Sequence, residues 1–347
     1  MPDIKPTFTV SGQIRPALAS GLLSLYISED TEGLYRCEAT FGNWGEVQHK
    51  LDYLYFDRTA LDFGKTFTVK LGPDVLFDGA ITGLEGQFAM GRSAEVTVLA
   101  EDRLQDLRMT RRTRTFMDVS DAAVMRTIAN DHGLTPDISI TGQTHKVLAQ
   151  VNQSDLAFIR SRARAVDAEL WMEGGGLKVK QHSGRNAGSV TLAVGVELFS
   201  FSVLADLAHQ RTSVSVNGWD VSSKSAITYD ATESSISGEL QGATSGASIL
   251  KSAFGDRKEA LAHMVPLTSS EAQDAAEAAF KLRARRFVTG RGVAQASGAL
   301  KVGAFADVQG VGPLFSGKYY LTQVRHLFEA SGLKTEFVAE RPGLGTA

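Results

Sequence analysis

The chain has 347 residues, a net charge of −3, 43% hydrophobic residues and one cysteine, Cys37. That length suits two or three domains. The composition excludes a disordered or collagen-like chain, a generally basic nucleic-acid binder, an internal disulfide framework and a multi-cysteine zinc site. Glycine outnumbers proline 34 to 8, which favours short strands broken by turns and bulges.

Residues 1–8 read MPDIKPTF and lack the basic and apolar runs of a secretion signal. The most apolar stretch, residues 186–205, mixes in Ser and Gly and alternates like a strand. The chain is therefore expected to be made in the cytoplasm, with no signal peptide and no transmembrane segment.

Residues 7–18 and 22–29 are predicted strands, with Phe8, Val10 and Ile14, then Leu23, Leu25 and Ile27, on one face. A meander follows: a strand over residues 66–71, a Gly72-Pro73-Asp74 turn, a strand continuing to Phe77 with a bulge or corner at Gly79, and strands over 81–88 and 95–100. A basic connector over 104–114 leads to a helix capped by Ser120 and stopped by Gly133-Leu134. A second helix is capped by Ser154, and a hairpin turns at Gly174–Gly176. Residues 198–230 alternate again, residues 231–255 read as a mobile loop or small subdomain, and Ser270 begins another helix. The tail returns to strands.

That tail repeats the earlier meander. Gly64, Gly72-Pro73, Leu76-Phe77-x-Gly79, Ile81-Thr82 and Ala100-Glu101 recur as Gly303, Gly312-Pro313, Leu314-Phe315-x-Gly317, Leu321-Thr322 and Ala339-Glu340, at offsets of 238 to 240 residues. The shared order points to two related β units, with Gly64, Gly72, Gly79, Gly303, Gly312 and Gly317 as their structural repeat turns.

Motifs for chemistry are weak. Residues 312–319 approach the phosphate-loop pattern, but Tyr319 replaces the hydroxyl residue and a strand follows where a helix is needed. The seven histidines are scattered and fit surface or capping roles. Asp52, Asp57 and Asp62 recur every five residues, which matches neither a helix face nor a strand face. Cys37 fits a core thiol. The basic clusters at 108–114 and 281–291 read as a solvated connector and a helix C-terminus, or more sharply as a protein interface or charged lumen. No catalytic residue, cofactor or metal ligand is expected.

Residues 148–171, LAQVNQSDLAFIRSRARAVDAELW, resemble the signature helix and strand of phage late control D proteins. Residues 100–107, 315–326 and 335–341 fit the same family. Its members are baseplate hub proteins of contractile tails, similar to the hub part of type VI valine-glycine-repeat spike proteins and to hubs of phage-tail-like contractile injection systems. The resemblance implies an α+β, mainly β fold: two related antiparallel tube-like β-barrel domains with α+β insertions. The expected division is a first barrel at 1–110, an α+β insertion at 111–197, a second barrel at 198–230 and 288–347, and a loop/helical insertion at 231–287. The implied role is a homotrimeric symmetry adaptor between a hexameric inner tube and a separate trimeric spike, seated among baseplate proteins. No specific nucleic-acid partner and no stable membrane insertion are implied. The edges near residues 64–71 and 303–310 are the expected contacts. The alternatives are a tail-associated cell-wall hydrolase, for which Asp57 or Glu101 would be the acids to test, and the inner tube protein itself.

Overall fold

The computed structural model describes residues 5–329 and 332–345. The fold is mainly β, with antiparallel sheets and α+β insertions. The first unit contains β1 (Thr7–Val10), β2 (Leu22–Asp30), β3 (Arg36–Gly42), the hairpin β4 (Trp44–Val47) and β5 (Lys50–Tyr53), then β6 (Thr66–Leu71), β7 (Asp74–Gln87) and β8 (Glu95–Glu101). Apart from the hairpin, these pair in the order β2-β3-β8-β7-β6-β1. A flat sheet would hold β1 about 19 Å from β3, at ~4.8 Å per step. The Phe8 and Phe41 rings on those strands are instead 5.1 Å apart. The sheet therefore rolls around its core, which gathers Val10, Leu25, Ile27, Phe67, Val69 and Val98 among others.

The first insertion begins with β9 (Arg111–Ser120), α1 (Asp121–Asp131), β10 (Thr135–Ser139) and β11 (Thr144–Ser154). It continues with α2 (Asp155–Ala165), β12 (Ala168–Glu173) and β13 (Gly176–Gln181). Its own core lies between the helices and strands, around Val124, Ile128, Leu156, Ile159 and Leu177. Ser120 and Ser154 accept from the N–H groups of Ala123 and Ala157, as N-caps do. The first helix ends in a Schellman motif: the Gly133 and Leu134 N–H groups donate to the carbonyls of Asn130 and Ala129.

The second unit contains β14 (Ser189–Ala193) and β15 (Leu198–Ala205). An excursion follows: β16 (Ser213–Asp220), β17 (Ser225–Thr232), α3 (Gly246–Phe254), β18 (Lys258–Ala260) and α4 (Ser269–Arg285). The unit closes with β19 (Val288–Gln295), β20 (Phe305–Gln309), β21 (Gly317–Glu329) and β22 (Gly332–Arg341). The pairing order is β15-β19-β22-β21-β20-β14. Phe201 and Tyr319, three strands apart in that order, have ring centroids 5.7 Å apart, so this sheet also rolls around a core. Strand β2 pairs with β21, and the two units share one thirteen-stranded sheet.

The strand register reveals how closely the units correspond. Thr82 is an extra residue between the pairs Ile81–Ala100 and Gly83–Leu99. Thr322 is the extra residue between Leu321–Ala339 and Gln323–Val338. Each hydroxyl bonds the carbonyl across the bulge, that of Leu99 or Val338, at 3.3 Å. Leu23 bulges between Leu22–Phe41 and Ser24–Thr40, and Phe199 bulges between Leu198–Ala294 and Ser200–Val293. Strands β2, β3, β6, β7 and β8 thus correspond to β15, β19, β20, β21 and β22.

Several sequence expectations change here. Residues 16–20 form a short helix opened by Pro16, so the first predicted strand ends early and Ile14 is exposed. The bulge at Leu23 turns that side chain outward. Residues 213–230 do not join the second barrel: β16 pairs with β17 and β18, and this small sheet packs on α4 around Val214, Val216, Ala272 and Phe280. Alternation marks a strand without naming its sheet. Residues 231–255 contain helical turns and α3. The last helix is capped by Thr268, whose hydroxyl accepts from the Glu271 N–H, while the Glu271 carboxylate accepts from the Leu267 N–H.

Candidate assembly surfaces

The repeat-turn glycines divide into two kinds. Gly64 and Gly303 have φ of +76° and +90° and make the same bonds: each N–H donates to Ile81 or Leu321, whose N–H donates back to the next residue, Lys65 or Ala304. Gly72 and Gly312 have φ of +58° and +80° in the following turns. Gly79 and Gly317 are not counterparts. Val69 faces Phe77 just as Val308 faces Gly317, so the register aligns Gly317 with Phe77 and Gly79 with Tyr319. Nor does Gly79 mark the bulge. It lies mid-strand, where a Cβ would sit 2.2 Å from the Glu101 carbonyl oxygen.

The strands expected to carry the contacts are paired on both sides. Strand β6 has β1 on one side and β7 on the other, and β20 lies between β14 and β21. Neither offers a free edge. Among the described residues, unpaired edges include β14, β15, which pairs only with β19, and residues 83–87 of β7, which pair only with β8. Beside the last of these edges stands an exposed aromatic group. Tyr53 is 5.2 Å from Trp44, 5.1 Å from Phe56 and 6.0 Å from Phe88 between ring centroids. Phe88 is 66% exposed.

Where the units meet, the interior is ionic. Arg185 follows the first insertion and donates to the Glu169 carboxylate at 2.8 Å, the Tyr35 hydroxyl at 2.9 Å and the Val302 carbonyl at 3.1 Å. Its guanidinium lies 4.3 Å from the centre of the Trp171 ring. Glu169 also bonds His182 and the Tyr320 hydroxyl, both at 2.8 Å. Burial pushes the Glu169 carboxyl up, but the His182 bond and Arg185 prevail and hold it below the usual range. Glu29 of β2 accepts from the Val302 N–H. Burial outweighs that bond and raises Glu29 to about 7. Nearby Asp102, which accepts from the Tyr35 and Leu104 N–H groups, is raised by burial to about 6. A cavity of 930 Å³ opens beside this group.

The basic clusters face acids of the same chain. Arg112 and Arg114 reach the buried Asp155 at 3.1 and 2.9 Å, and His132 reaches it at 2.8 Å. Arg285 holds Asp167 and Glu239, Arg283 holds Glu259, and Arg286 lies 3.5 Å from Glu340. Arg111 donates to the Asn152 carbonyl, and Arg286 keeps 60% of its side chain exposed. Three of the histidines expected in surface or capping roles, His132, His145 and His182, bond carboxylates that are buried or nearly so. His326 is in the core, where burial lowers it to about 4. Cys37 is buried. Asp57 and Asp62 bond only loop neighbours, and Glu101 holds Arg108 and Arg36. In the loop over 312–317, the Leu314 and Ser316 carbonyls accept from Arg341, the reverse of a phosphate cradle. Among the described residues no three His, Cys, Asp or Glu side chains are placed to hold a metal ion, and no helix is long and apolar enough to cross a membrane.

The model of the Alg8 N-terminal domain family matches residues 52–329. The chain belongs to that family. No curated protein sequence matches it. Among solved structures, it is similar to the 43 kDa tail protein of prophage MuSo2 from Shewanella oneidensis, with a TM-score of 0.72 and 12% identity over 97% of this chain and 98% of that one. A tail protein from Neisseria meningitidis aligns with a TM-score of 0.67 and 11% identity over 98% and 97%. An E. coli component of the type VI secretion system, described as structurally similar to T4 bacteriophage tail proteins, aligns with a TM-score of 0.62 and 12% identity over 98% and 79%. This member of the Alg8 N-terminal domain family therefore has a phage tail protein fold.

Proposed function

We propose that this chain is the structural baseplate hub of a contractile phage tail or phage-tail-like injection system. One observation carries the reading: a single chain holds two corresponding rolled sheets, joined edge to edge through β2 and β21. Three such chains present six similar units to a hexameric inner tube and three identical faces to a trimeric spike. A homotrimer would thus act as a symmetry adaptor and needs no catalytic residue. The domain division that fits this role groups residues 5–101 as the first barrel and strands β14, β15 and β19–β22 as the second, with the segments between them as insertions. The tail-protein fold of its structural relatives supports the reading, as does the resemblance of residues 148–171 to late control D proteins.

Purified chain, alone and with candidate spike and inner tube proteins, provides the test. The expected result is a trimer by light scattering and tube assembly on its complex with the spike by electron microscopy. A monomer at every concentration, even with spike present, overturns the proposal. So does clearing of a cell-wall zymogram that Asp57→Ala or Glu101→Ala abolishes, which would favour the hydrolase alternative.

A further inference from the structure

The cavity at the meeting of the two units takes its walls from three parts of the chain. Glu29 comes from the first unit, Trp171 and Met172 from the first insertion, and Val302 from the second unit. Glu29 is only 9% exposed. Its Oε2 accepts from the Val302 N–H, and its Oε1 has no hydrogen bond among the described residues. A buried carboxylate is costly to ionise unless a cation joins it, and the cations around the cavity are turned elsewhere. Arg185 gives its bonds to Glu169, Tyr35 and the Val302 carbonyl. Arg103 reaches the His132 carbonyl, and Lys180 lies 3.8 Å from Asp137. Lys301 also lines the cavity, but no ion pair joins it to an acid among the described residues. The second buried acid, Asp102, spends one lone pair of each oxygen on the Tyr35 and Leu104 N–H groups and keeps the others. Leu76, Phe77 and Met172 add apolar wall.

We propose that this cavity binds a primary alkylammonium ligand, its charged head on Glu29 and Asp102 and its hydrocarbon stem against Leu76, Phe77 and Met172. An ammonium head carries three donors, which serve the free Glu29 oxygen and the remaining acceptor capacity of Asp102. A charged end and an apolar stem match two buried acids inside apolar walls. A metal ion matches less well, because no three His, Cys, Asp or Glu side chains among the described residues are placed to hold one. The bound ligand would touch both units and the insertion at once and so brace their junction. The proposal goes beyond the hub reading and does not depend on it.

Calorimetric titration of the full chain with pentylamine and with 1,5-diaminopentane tests it, at pH 8 so that Glu29, raised to about 7, is ionised. Both amines should bind and raise the melting temperature, whereas pentan-1-ol, with the same stem and no charge, should do neither. Trp171 is buried while Trp44 and Trp219 are exposed, so the buried component of tryptophan emission should respond to the amines. Glu29→Gln keeps the side chain's shape, removes its charge and should weaken binding roughly tenfold or more. Lys301→Ala should bind at least as tightly as the wild type. N-acetyl-lysine methylamide separates the sources of the ammonium group: binding of this probe but not of the free amines keeps the site and assigns it to a lysine side chain of a docked protein. Equal affinity in Glu29→Gln, no binding of any ammonium probe, or binding only after Lys301→Ala, which would make Lys301 the site's own cation, each overturns the proposal. A chain that trimerises yet binds no ammonium loses this proposal alone, and one that binds amines yet stays monomeric with spike loses only the hub reading.

Discussion

Glu29 stands at the junction with one backbone bond of 3.2 Å and no cation bound to its carboxylate among the described contacts. Because folding raises its pKa from 4.5 to about 7, the folded state holds this proton more tightly than the unfolded one. Its contribution is therefore fully present below pH 4.5 and lost as pH rises through about 7, by up to about 3 kcal/mol. Glu29→Gln should leave stability in acid nearly unchanged and flatten the decline between about pH 4.5 and 7, read as melting temperature against pH. An unchanged slope would assign the decline to another group. Asp102, raised to about 6, should leave a smaller decline below that. None of this was legible in the sequence, because a lone Glu in an alternating strand looks like a solvent-facing residue. Gly64 and Gly303 were legible, since left-handed backbone at equivalent turns selects the same residue. Gly79 and Gly317 were misaligned because a four-residue motif cannot see which partner lies across the strand.

At the scale of elements, Ser120 and Ser154 were read correctly because an N-cap depends on only a few neighbouring residues. Each is followed by a buried aspartate, Asp121 or Asp155, and the antiparallel pairing of β9 with β11 explains their partners. Arg111 lies opposite Ser154 and Ser120 opposite Thr144, so the start of each strand reaches the helix that follows the other. Arg112 and Arg114 on β9 serve Asp155, while His145 on β11 serves Asp121. The run of arginines looked like a connector or surface because its acid lies about 40 residues away, beyond any local pattern. Asp155→Ala should lower stability by about 2–3 kcal/mol, since it removes a buried carboxylate from Arg112, Arg114 and His132 while both guanidinium groups keep some solvent and Arg114 keeps Asp131. Ser154→Ala should cost only about 1 kcal/mol. Denaturant unfolding of the two variants checks the ratio, and equal losses would deny Asp155 its central role.

At the scale of the whole molecule, the alternation and the duplicated meander were visible in sequence, but the single sheet linking both halves was not. The insertions hid the correspondence of β2 with β15. Only a tight connection separates β2 from β3, whereas β16–β18 and two helices intervene between β15 and β19. Arg185 ties the first unit, the first insertion and the second unit at one atom cluster. Arg185→Leu should therefore broaden or split calorimetric unfolding as the parts lose their coupling, whereas a single sharp transition would assign the coupling to strand pairing alone. That strand pairing also has a consequence for the chain as it leaves the ribosome. Residues 25–30 wait for partners about 300 residues later in the chain, which at ~5–20 residues per second is roughly 15–60 s of synthesis. Throughout that interval the first half carries an unfinished flank, Leu25 and Ile27 included, able to adhere to other nascent chains. High expression at elevated temperature should therefore lose material to aggregates of incomplete chains before the finished protein itself becomes unstable.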